Sequence, residues 1–129
     1  MTAVVWWAVG LALVMVVGRL LLGPIQRGRE ALARRRRARR RAEALLWAWL
    51  SPDQRAQYRV SARFDVTTAA GRHYRVCPGR VVRLEPRGSA YCIEATSPVP
   101  VADEMLAFKL LLETDERRFL ATAHRYHHR

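Results

Sequence analysis

Residues 18–54 read GRLLLGPIQRGREALARRRRARRRAEALLWAWLSPDQ, and this stretch decides how the chain divides. Before it, residues 3–18 carry no charge (AVVWWAVGLALVMVVG); inside it, residues 27–41 hold nine arginines against Glu30 alone. At its end, Ser51-Pro52-Asp53-Gln54 is a helix start, in which Ser51 caps, Pro52 fits the first turn and Gln54 reaches back to the cap. Three segments are expected: a transmembrane anchor over 1–25, an arginine-rich juxtamembrane helix over 26–44 and an α+β domain over 45–129.

Crossing a hydrocarbon core of about 30 Å takes about 20 helical residues. Residues 3–25 reach that length if Arg19 lies near one end and carries its guanidinium to the headgroups. Trp6 and Trp7 suit an interfacial aromatic belt, and Gly23-Pro24 suits an exit. The uncharged Met1-Thr2 and the absence of a small-x-small site after Val17 argue against a cleaved leader. Because the basic residues follow the apolar run, the positive-inside rule gives a single-pass protein of the cell membrane. Its N-terminus is expected outside and its C-terminal domain in the cytoplasm.

The net charge of +12 is unevenly placed, +9 within residues 1–41 and +3 within residues 42–129. The basic character is therefore local and says little about the folded part. Arg34, Arg35, Arg36, Arg37, Arg39, Arg40 and Arg41 are read as contacts to anionic lipid headgroups or other phosphates, each worth about 1 kcal/mol beside an anionic leaflet. The alternative is a grip on nucleic acid with strongly salt-dependent affinity. Against it, only Ala38 interrupts these arginines, with no aromatic or amide side chain to read or stack on bases. No Gly or Pro occurs between Arg29 and Leu50, so the helix should run on. Ala38, Ala42, Leu45 and Trp49 form an apolar seam that either docks on the domain or self-associates.

In the domain, a short helix follows Ser51. Phe64, Val66 and Thr68 alternate with Asp65 and Thr67 as in a half-buried strand. Gly71 can take positive φ in a tight connection, and residues 73–77 return with Tyr74 and Val76 on one face. Residues 80–85 and 90–95 are further strand candidates. The spacing gives an antiparallel meander of three to four strands packed by helices. Asp103 and Glu104 open a helix whose Met105, Leu106, Phe108, Leu110, Leu111 and Leu112 mark it as the core helix. Thr114 can cap a last helix that turns Phe119, Leu120 and Ala123 inward. The fold class is a single N-terminal transmembrane helix plus a small α+β domain.

These residues also form an ordered set of motifs: Leu50-Ser51-Pro52-x-Gln54, Gly71-x-x-Tyr74-Arg75, Val99-Pro100-x-x-Asp103-x-x-Leu106-Ala107-x-Lys109-Leu110 and Phe119-Leu120-x-x-Ala123. The set resembles a small recurrent bacterial domain. Thr68 stands where that pattern carries Gly, and Phe108 where it carries Gln. The resemblance implies a domain boundary near residue 45 and no activity.

Candidate chemistry is sparse. Cys77 and Cys92 are the only thiols, and without a C-x-x-C pattern they read as small core residues. His124 and His128 would be i,i+4 on a continued helix and could share a metal, but no third ligand is evident. Asp103, Glu104, Glu113, Asp115 and Glu116 are accounted for by helix ends, and Lys109 by a place at the edge of the apolar face or an ion pair with Glu113. No catalytic residue, cofactor site or metal ligand is assigned, and no enzyme activity is expected. The expected function is a membrane-anchored protein-binding or scaffolding module, its partner protein meeting residues 45–129. The alternative is a membrane-tethered binder of nucleic acid or anionic lipid through the arginines.

Overall fold

A computed structural model describes residues 2–85, 88–93 and 97–127. In order the elements are α1 (Thr2–Trp49), α2 (Pro52–Ser61), β1 (Phe64–Thr67), β2 (His73–Cys77), β3 (Arg80–Arg83), β4 (Ser89–Cys92), α3 (Val101–Thr114), α4 (Glu116–Thr122) and β5 (His124–His127). The chain forms two compact units, Met1–Arg37 and Ala38–Arg129.

The first unit is helical, and it corrects the expected anchor. Among the described residues no helix is long and apolar enough to cross a membrane. That overturns the transmembrane anchor over 1–25, the single-pass assignment and the cell-membrane localisation with an outside N-terminus. The physical reason is length of apolar character, not length of helix. The uncharged stretch 3–18, at 1.5 Å per residue, covers only about 24 Å of the about 30 Å required, and Arg19 then interrupts it. The side chains of residues 20–25, which were to complete the span, lie outside the described ones. Nor does the helix exit at Gly23-Pro24, since α1 continues to Trp49.

In the second unit the expected seam moves by one position. Ala42, Leu46 and Leu50 are buried, whereas Leu45 and Trp49 are exposed. Steps of four along an unbroken helix keep those three residues on one face. Arg55 then closes the end of α1, its Nε donating to the Trp47 carbonyl at 2.9 Å and its Nη2 to that of Ala48 at 3.3 Å. These are among the last carbonyls of a helix, which have no intrahelical donor. The Arg55 and Arg59 guanidinium carbons lie 5.9 and 5.4 Å from the Trp47 ring centre.

Helix α2 starts with the reciprocal cap expected at Ser51. Gln54 N–H donates to Ser51 Oγ at 3.2 Å, and Ser51 N–H donates to Gln54 Oε1 at 3.1 Å. Gln54 also donates from Nε2 to the Asp65 carbonyl at 2.9 Å, tying the helix start to β1. The sheet is antiparallel in the order β1-β2-β3-β4-β5. Its first hairpin pairs Phe64 with Val76 and Val66 with Tyr74, so the alternation puts all four on the buried face. The turn between these strands has Gly71 at φ +74° and is closed by Thr68 N–H donating to the Arg72 carbonyl at 2.9 Å.

Two features of the sheet differ from expectation. Among the described residues it has five strands, because His124–His127 pairs with β4 instead of extending α4. And β4 ends at Cys92, with Ile93 already outside the strand; residues 94–96, the rest of the expected strand, lie outside the described residues. Helices α3 and α4 cover the inner face. Asp115, not Thr114, caps α4, its carboxylate accepting from Arg118 N–H at 3.0 Å.

Candidate functional site

The seven arginines from Arg34 to Arg41 are all exposed on α1. Arg34 pairs with Glu30 at 3.8 Å and Arg39 with Glu43 at 3.2 Å, both one helical turn away. Among the described residues Arg35, Arg36, Arg37, Arg40 and Arg41 have no carboxylate partner. Arg34, Arg35, Arg36 and Arg37 belong to the first unit and Arg39, Arg40 and Arg41 to the second. In the first unit, Trp6, Trp7, Leu11 and Val14 are also exposed around Gly10. One helix alone bounds that surface.

The second unit contains a hollow that sequence reading missed. Ile93 and Val99, from the connection between β4 and α3, face Ala107, Phe108 and Leu111 across a cavity of about 240 Å³, which Asp103 and Glu104 also line. The α3 residues recur at steps of three and four and so share one helix face. The hollow exists because Ala107, the smallest of them, is exposed, while its neighbour Phe108 is turned into the core. Phe108 is held there edge-to-face against Phe119, with ring centres 6.1 Å apart. Apart from the two carboxylates, the described lining residues are apolar. Drug-sized ligands occupy pockets of about 300–1,000 Å³; this hollow is below that range and suits one bulky side chain.

Asp103 and Glu104 stand in the first turn of α3, whose cap position, Pro100, supplies no side-chain hydrogen bond. Their negative charge therefore offsets the exposed amide ends. Both are half-buried, and among the described residues neither forms an ion pair. Lys109, whose side chain is 7 % exposed, is committed elsewhere, donating to Glu113 as the i,i+4 spacing implies.

In the same unit, Glu116 gathers three donors. Tyr74 OH donates to Oε1 at 2.6 Å, Arg72 Nη1 to Oε1 at 3.2 Å and Thr68 Oγ1 to Oε2 at 3.1 Å. Tyr74 is wholly buried. Burial first, then the hydrogen bond to Glu116 and its charge, push the Tyr74 hydroxyl up to about 12. Tyr74 packs edge-to-face on Phe119, so this knot fixes α4 and, through Phe119, the floor of the hollow. Its groups are all engaged with one another, which fits anchorage better than chemistry.

The remaining candidates are not brought together. Cys77 and Cys92 lie on β2 and β4, with β3 between them. Cys77 is buried, and Cys92 Sγ donates to the Gly79 carbonyl at 3.1 Å. His124 begins a strand instead of sitting on a helix, which removes the i,i+4 metal geometry, and His128 lies outside the described residues. No group of three or more His, Cys, Asp or Glu suited to a metal occurs among the described residues.

Compared with family models, with curated proteins and with solved structures, the chain matches none.

Proposed function

We propose that residues 38–129 form a protein-binding module and that the α3 hollow receives one apolar anchor side chain from a partner protein. The observation that carries this reading is the side-chain-sized cavity around the exposed Ala107, lined mainly by apolar residues and floored by Phe108, which packs on Phe119. Binding energy at protein interfaces concentrates where one bulky side chain fills such a pocket and water is excluded around it. The test places a photoreactive amino acid at Val99, which is 46 % exposed, in the full chain within its source cells. A discrete protein should crosslink there, and the product should disappear when Ala107→Phe fills the hollow. A probe at Arg117, exposed on α4, serves as control. Identical products from both positions, or products that survive Ala107→Phe, would overturn the reading.

The arginines support a second contact, with the phosphates of anionic lipid headgroups. Its basis is the five exposed guanidinium groups on α1 without a carboxylate partner. Full chain should sediment with vesicles containing 30 % phosphatidylserine (roughly 1 kcal/mol per arginine near such a surface) and not with phosphatidylcholine alone. Retention by duplex RNA, with no preference for anionic vesicles, would move the contact to nucleic acid.

A further inference from the structure

Asp103 and Glu104 allow the partner's chemistry to be narrowed. Resting on the α3 hollow as the docking surface, we infer that its occupant is an apolar side chain with a lysine or arginine beside it. The chain has 22 arginines, and several of its other acids are engaged, although among the described residues Asp53 and Glu85 also form no ion pair. Asp65 holds Arg75 at 2.7 Å, Glu116 holds Arg72, Glu113 holds Lys109, and Asp115 caps α4. Among the described residues Asp103 and Glu104 form no ion pair, in a domain whose net charge is positive. They sit four and three residues before Ala107, on its own face of the helix, so any side chain seated over Ala107 brings its neighbours to these carboxylates.

Charge complementarity then selects the partner. A basic neighbour gains two attractive contacts, whereas an acidic neighbour meets two like charges as it enters. Stabilising the start of α3 asks only that these residues be acidic. It does not ask that they line the single-side-chain hollow, and that coincidence is what points to a cationic ligand.

Three small probes of one shape separate the possibilities: 4-phenylbutylammonium, 4-phenylbutanol and 4-phenylbutyrate. They are titrated into isotope-labelled full chain while amide signals are followed. All three should move the Ala107, Phe108 and Leu111 amides. At low salt the ammonium should bind roughly three- to tenfold tighter than the alcohol, as expected of two partly exposed carboxylates, and the butyrate most weakly. The preference should shrink in 0.5 M salt, where the screening length falls well below 10 Å. It should vanish in Asp103→Asn/Glu104→Gln while alcohol binding persists. Should the double variant unfold, the single variants and the wild-type salt series carry the same comparison. Equal binding of all three probes would overturn the cationic partner and leave the hollow as a docking site. No movement of these amides by any probe would overturn the docking site itself.

Discussion

Replacing Glu116 with alanine removes the acceptor that ties α4 to the first hairpin, and the loss can be worked from its three donors. Tyr74 is 0 % exposed, so its hydroxyl is stranded without a partner, at a cost of about 1–3 kcal/mol. Arg72 has a side chain 43 % exposed, and an exposed ion pair of this kind contributes at most about 1 kcal/mol. Thr68 Oγ1 still accepts from Arg72 N–H at 3.3 Å, so its share is small. The total is about 3 kcal/mol, a large part of the roughly 5–15 kcal/mol that holds a domain folded. For a domain of this size about 4–8 °C of Tm goes with each kcal/mol, so Tm should fall by roughly 12–24 °C. Urea titration of the full chain, followed by circular dichroism, measures the loss. A cycle with Tyr74→Phe isolates the hydroxyl–carboxylate pair, with an expected coupling of about 1–3 kcal/mol. A loss below about 1 kcal/mol, or additive effects of Tyr74→Phe and Glu116→Ala, would refute the view that this knot anchors α4.

Alkaline stability follows from the same tyrosine. Between its ordinary value near 10 and its folded value of about 12, the unfolded chain releases a proton that the folded chain keeps. Stability from this group is therefore complete below pH 10 and falls as pH rises to 12, by about 2–3 kcal/mol; Tyr74→Phe should remove this share of the slope in urea titrations, leaving the smaller one from Tyr58, whose hydroxyl is also pushed up by burial. Ser51→Ala opens the cap of α2 and should cost about 1 kcal/mol, whereas Ser51→Gly should cost a few tenths, as read by calorimetry. Gly71→Ala forces a side chain into the left-handed region at φ +74° and should cost about 1–2 kcal/mol, although a Cβ there meets no neighbour. A neutral result would place the turn in another conformation.

What the sequence made legible was chemistry that acts over a few residues. The Ser51/Gln54 cap, the Gly71 turn, the Phe64–Val66 and Tyr74–Val76 face and the Lys109–Glu113 pair each depend on neighbours within one turn or one hairpin. Features assembled over longer distances were not legible. Strand β5 is a short polar segment, HRYH, without apolar alternation, and it becomes a strand only because β4 presents an unpaired edge to it. The seam on α1 was placed on Ala38, Ala42, Leu45 and Trp49 because their steps of four, three and four follow the helical repeat. The face that packs is set by the four-residue steps of Ala42, Leu46 and Leu50. The anchor was inferred by running the apolar stretch past Arg19, where the described residues hold no helix apolar enough for a span.

The candidate sites divide along the same line. Seven exposed arginines can be read directly from their spacing, because nothing in a continuous helix of that composition can bury them. The hollow cannot be read that way. It depends on Phe108 turning inward against Phe119, eleven residues later and on another helix, which leaves Ala107 facing outward between Val99 and Leu111. An alanine on an apolar helix gives no sign of whether it is packed or bare.

The measurement closest to the proposed function is the affinity of the purified protein crosslinked through Val99 for the full chain and for its Ala107→Phe form, by titration calorimetry. Filling the hollow should weaken binding at least tenfold, about 1.4 kcal/mol, while Tm stays within a few degrees of wild type. An unchanged Kd, with the variant folded, would contradict the α3 hollow as the docking surface.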